Sequence, residues 1–200
     1  MTSTNKNFAI IFSIFAIAAA ASAAFLWSAG NTDDNINWLL RQSARAAFLI
    51  YLVVFIARPL RAFVVNDLSG WLLKNRRSLG VAFAATHIAH LGLIAYRFNV
   101  NPDITFSYVG SIPGMIAYTF IALMLITSFD GPTRAIGPKK WRVLHKTGLY
   151  YIGLIFTATL LPGEEEPLIN AERALLVPLL LIAIGIRIGA FVKKRSAAAT

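Results

Sequence analysis

Apolar residues fall in six long runs separated by short polar breaks. The runs cover about Phe8 to Trp27, Ala44 to Phe63, Ser78 to Tyr96, Pro113 to Phe129, Trp141 to Leu161 and Ala174 to Val192. Each approaches the ~20 residues that cross a hydrocarbon core. Backbone amides cannot stay unpaired in lipid, so each run is predicted to be a helix. The breaks hold the Gly, Pro, Asn and Asp residues that punctuate turns. The pattern predicts an all-α integral membrane bundle of six transmembrane helices, one domain over residues 1–200.

Charge sets the expected orientation. With the N-terminus in the cytoplasm, the inner side collects Lys6, the group from Arg58 to Arg77, the group from Arg134 to Lys146, and Lys193, Lys194 and Arg195. That is 14 of the 19 Lys and Arg. The outer breaks collect Asp33, Asp34, Asp103, Glu164, Glu165, Glu166 and Glu172. The positive-inside rule then places both termini in the cytoplasm. A rival reading takes Lys6 and Ala21-Ser22-Ala23 as a cleaved signal peptide, but apolar residues continue past that site to Trp27.

Composition agrees with a lipid setting. Hydrophobic residues make up 57% and charged residues 14%, with a mean hydropathy of +0.64. That leaves too little polar surface for a soluble domain. A net charge of +10 would suit nucleic acid as a partner, yet the basic residues sit in the breaks, where they anchor helices to the bilayer. With no cysteine, disulfides, thiolate metal sites and Cys-ligated clusters are excluded.

Signatures of soluble enzymes are missing: there is no phosphate-binding glycine loop, zinc-protease His-Glu pair or nucleophile elbow. No Asp or Glu lies within an apolar run, which weakens a proton-driven transporter. Arg187 does lie within one, five residues from its end, and is expected to snorkel inward.

Three histidines carry the chemistry: His87 and His90 in the third run, and His145 near the start of the fifth. Residues three apart share a helix face, so His87 and His90 can look into one interface. Neutral imidazoles on facing helices are the minimum for axial ligation of a haem inside a bundle. Counting from Arg77, His87 lies about 15 Å deep and His90 about 19 Å, whereas His145 is only about 6 Å past Trp141. Gly80, Gly92, Gly148 and Gly153 offer room for a flat macrocycle, or equally for plain helix packing.

These histidines have telling neighbours. Arg76-Arg77-Ser78-Leu79-Gly80 followed by His90, and Thr127-Ser128 followed by Trp141-Arg142-Val143-Leu144-His145-Lys146, resemble the third helix and the fourth-to-fifth junction of the ferric-reductase-like transmembrane family. Arg41 through Pro59-Leu60-Arg61 is similar to that family's second helix. The closest branch is the haem-binding membrane subunit of the bacterial protein-methionine-sulfoxide reductase system, and the likeness spans about residues 38 to 160.

The resemblance implies a multi-pass protein of the bacterial inner membrane that binds haem b. Such a protein passes electrons from a cytoplasmic flavin reductase or a quinol to a periplasmic reductase, as an electron-transfer subunit rather than a stand-alone enzyme. It implies His87, His90 and His145 as candidate iron ligands, with Arg77 and Arg142 near the propionates. The family usually carries a further His thirteen residues after the Leu-His one; here that position is Ala158. Three arrangements stay open: His87 with His145 on a haem displaced inward, His87 or His90 alone, or loss of the haem. In the last case the chain would be a non-catalytic membrane subunit or small-solute carrier. A quinone-binding role for His145 is a further alternative.

Overall fold

The computed structural model describes residues 3–101, 108–161 and 171–198. Asp103, Glu164, Glu165 and Glu166 lie outside the described residues, as does the side chain of Glu172. Among the described residues the chain forms six helices and no strand: α1 Ser3–Ala29, α2 Asp33–Leu60, α3 Asp67–Val100, α4 Tyr108–Ile126, α5 Asp130–Thr159 and α6 Ala171–Ser196.

α2, α3 and α5 begin about eleven residues before their apolar runs, the first two because local caps start them early. Thr32 accepts the Asn35 amide at the start of α2. Asn66 and Ser69 cap each other's backbone amides at the start of α3. The first turns of α3 carry exposed Leu68 and Trp71 among polar residues, so hydropathy alone does not register them as helix. α5 is broken at Gly137, whose φ of +76° suits only glycine without strain, and the helix restarts at Pro138, a residue favoured in a first turn.

Contacts show the helices alternating in direction. At one end, Phe8 stacks on Phe129 with centroids 4.6 Å apart. There Arg77 donates to the Ser128 carbonyl at 2.5 Å and pairs with Asp130 at 2.7 Å, and Lys193 donates to the Ala62 carbonyl at 2.7 Å. We call this the basic end. At the far end, Asn35 donates to the Gly30 carbonyl, Asn101 bonds Asp33, and Arg173 donates to the Leu160 carbonyl.

α1, α2, α3 and α6 are each long and apolar enough to cross a membrane. The Gly110–Ile126 and Asp130–Thr159 helices meet that test together, turning through 112° at the junction. Their contacts run in opposite senses: Thr127 meets His145, Met124 packs on Gly148, and Phe120 stacks near Tyr151. The pair therefore doubles back on itself.

α2 is the central helix, with Ala47, Phe48, Tyr51, Leu52 and Phe55 buried against Phe83, Ile121, Phe156 and Leu180. The exterior is apolar, with Phe12, Ile17, Leu154, Leu181 and Phe191 exposed, as lipid contact requires. At Gly148 and Gly153, of the two uses open to these glycines, helix packing rather than room for a macrocycle is what the structure shows. Gly148 accommodates Met124 and Phe120, and Gly153 accommodates the Tyr51 hydroxyl, which donates to the Leu149 carbonyl at 3.0 Å. A Cβ at Gly153 would run into that hydroxyl. Gly153→Ala is accordingly expected to destabilise the bundle by about 1–3 kcal/mol, read as a lower melting temperature in detergent.

Candidate functional site: two cavities on either side of an aromatic partition

The histidines divide between two cavities. The cavity at the basic end holds about 480 Å³ and is lined by His145 and Trp141 together with Arg58, Lys74, Arg76 and Arg77. The far-end cavity holds about 400 Å³ and is lined by His87, His90, Tyr118 and Phe156, with Arg41, Arg45 and Arg173 toward its mouth. Both lie within the size range of small-molecule and cofactor sites. Tyr51 and Phe83 border the first, Phe48 and Phe156 the second, and these rings pack on one another with centroids 5.2–6.4 Å apart.

Helix rise gives the separation of His145 from the other two histidines. His87 packs on Tyr118 and Phe156, whereas His145 is level with Thr127 and with Arg77's partner Ser128. The intervals from Arg77 to His87, Thr127 to Tyr118 and His145 to Phe156 each correspond to about 14–17 Å. By helix rise His87 and His145 stand at different levels and line separate cavities, which argues against their sharing one iron.

The far-end histidines form a built site. His90 Nδ1 lies 2.8 Å from Ser43 Oγ, and Ser43 donates its one proton to the Leu40 carbonyl at 3.0 Å. With the Ser43 proton on the Leu40 carbonyl, Ser43 accepts from His90 Nδ1 and the Nε2 lone pair is left to bind a metal; the other tautomer reverses both roles. A hydrogen-bonded Nδ1 is the usual outer support of a metal-ligating histidine. His87 sits one turn earlier, 4.5 Å from the Phe83 ring and 6.2 Å from the His90 ring between centroids. His87 lies within reach of the Phe83 carbonyl one turn back, whereas the Tyr118 hydroxyl is buried without a hydrogen-bond partner among the described residues. An orphaned hydroxyl beside the cavity fits a site whose partner is a bound group or water.

His145 is held in the opposite sense. It stacks on Trp141 with centroids 4.1 Å apart, and its Nε2 lies 3.0 Å from Thr127 Oγ1. Thr127 donates to the Leu123 carbonyl at 2.7 Å, and with its proton so committed it accepts from His145 in the Nε2-protonated tautomer. The Trp141 indole also donates to the Thr127 carbonyl, at 2.9 Å. What remains on His145 is Nδ1, which lies next to Cβ and offers a flat macrocycle poor access.

The arginines divide as well. Arg77 lines the basic-end cavity while clamping the α4–α5 junction. Arg142 points away, is exposed, and donates to the Pro138 carbonyl of its own helix. Ala158 is exposed on α5 and does not line the far-end cavity, whose α5 wall is Ile155, Phe156, Thr159 and Leu160. Arg187 does not snorkel to the helix end: it reaches sideways to Phe55 and Tyr150.

Ser43 and Tyr118 carried no sequence signal, because a lone hydroxyl beside an apolar run has no spacing to mark it. Among the described residues no group of three or more His, Asp or Glu is placed to hold a bare metal ion. No family model matches this chain, no curated protein is similar to it, and no solved structure matches it.

Proposed function

We propose that this chain is a six-span protein of the bacterial inner membrane that binds haem b in its far-end cavity. It would relay single electrons as a subunit related to the ferric-reductase-like group. The observation that carries the reading is His90 on a cavity wall with its Nδ1 hydrogen-bonded to Ser43, which makes Nε2 the atom to offer a metal. Bound there, haem would supply ferric–ferrous one-electron chemistry.

The chain's own residues do the rest. His90 offers the iron ligand. Phe48, Phe156 and Tyr118 supply apolar walls, and Arg41, Arg45 and Arg173 complement the propionate charges. The basic-end cavity, with four cations around His145, is the side on which a flavin-borne or quinol donor would deliver electrons. The periplasmic reductase would receive them at the far end. Phe83 borders the basic-end cavity and touches His87, so aromatic packing joins the two levels.

A second reading, the family's fold without haem, draws on the wall opposite His90. That wall carries Phe156, Ile155, Thr159 and Leu160 rather than a histidine. One spectrum separates the two. A dithionite-reduced minus oxidised difference spectrum of protein made with ample haem is expected to show a b-type α-band. Haem is expected near one per chain. A haem-free product would sink the first reading and leave the second.

A further inference from the structure

A third cavity, of about 440 Å³, lies between α5 and α6 over α2. Its rim is apolar and faces outward, with Leu154 and Ile188 both more than half exposed. One charged side chain lines it, that of Arg187. Arg187 lies six residues before Lys193, about 9 Å deeper along the helix.

The guanidinium is fixed there by the backbone of α2. Pro59 has no amide hydrogen, so the Phe55 carbonyl, four residues earlier, loses its helical donor. Arg187 Nη1 supplies one at 2.8 Å, Nε donates to the Tyr150 hydroxyl at 3.0 Å, and the plane lies over the Phe55 and Tyr150 rings. These two bonds leave three of the five guanidinium N–H donors. Among the described residues no Asp or Glu lines the crevice, and Arg187 lies near enough to Arg76 for the two to repel. A guanidinium in an apolar segment, with donors to spare and no carboxylate beside it, suits an anion from the bilayer.

We propose that this crevice binds a long-chain carboxylate taken from the bilayer. The carboxylate sits against Nη1 and Nη2 of Arg187, and the chain lies between α5 and α6. Charge complementarity and depth favour this occupant. The Lys193–Arg195 belt lies at the helix end, where a phosphodiester headgroup would be held. A carboxylate on a single chain is compact enough to reach the deeper guanidinium, and it matches the two-pronged geometry of that group.

The test uses the full chain in phosphatidylcholine nanodiscs, whatever its haem content, and palmitate carrying a mid-chain diazirine. Saturable photolabelling of residues 150–157 and 184–191 is expected, displaced by unlabelled palmitate. Labelling should fall about tenfold in Arg187→Gln, whose amide keeps hydrogen bonding but loses the charge. Leu154→Trp, at the exposed rim, should block labelling while leaving the contacts of Arg187 in place. Labelling that rises linearly with probe, or that is unchanged in either variant, overturns the proposal. So does displacement by phosphatidylglycerol but not by palmitate, which would make a lipid phosphate the ligand.

Discussion

On the proposed function, His90→Ala is expected to leave purified protein with less than about a tenth of the wild-type haem, because the proposed iron ligand is gone. His145→Ala is expected to retain it. The contrast follows from geometry, because the two residues stand about 19 Å apart along the bundle by helix rise and in different cavities. It follows also from hydrogen bonding: Ser43 engages Nδ1 of His90, whereas Thr127 engages Nε2 of His145. Ser43→Ala tests the support directly and is expected to weaken haem retention about 10–100-fold, the usual effect of removing an outer-shell partner. Transfer of haem to a scavenging protein measures all three variants on one scale. Full retention in His90→Ala with loss in His145→Ala would falsify the assignment and move the haem to the basic end.

The sequence was legible where one rule governs a long stretch. Six apolar runs became six helices because lipid leaves the backbone no other way to pair its amides. Helix starts were less legible: Asn66 with Ser69, and Thr32 with Asn35, begin α3 and α2 in polar stretches where capping rather than hydropathy decides. The motif residues Thr127, Trp141 and His145 do come together, in one hydrogen-bonded node. Depth counting placed His145 and His87 at different levels, and the structure keeps them in separate cavities.

Other features depend on contacts between helices, which spacing along one chain cannot express. Gly153 suited either a cofactor or helix packing, and only the contact with Tyr51 decides for packing. Arg187 looked like a snorkelling residue and instead caps the carbonyl that Pro59 strands on another helix. Ser43 reaches His90 across two helices and is invisible to any local pattern.

A cysteine placed at Ala197 is expected to react with a membrane-impermeant maleimide only from the cytoplasmic side. The chain has no cysteine of its own, so a single engineered thiol reports one position. Asn66→Cys and Asn101→Cys calibrate the experiment, the first expected inside and the second outside. The decision turns on α4 and α5. If they formed one span bent at the junction, α6 would run outward and Ala197 would be labelled from outside. If each crosses, α6 runs inward and Ala197 shares the side of Asn66. The contacts favour the second case. Thr127 with His145 and Met124 with Gly148 are rungs of a doubled-back pair, and Lys193 at the end of α6 donates to the Ala62 carbonyl just after α2. A bent single span would carry Lys193 across the membrane from Ala62 and break that bond. Charge points the same way, since Arg58, Lys74, Arg76, Arg77 and Lys193 gather at this end, where the positive-inside rule puts the cytoplasm. Labelling of Ala197→Cys from outside, with Asn66→Cys still labelled from inside, would reject the six-span bundle and with it the route from the basic-end cavity to the far-end one.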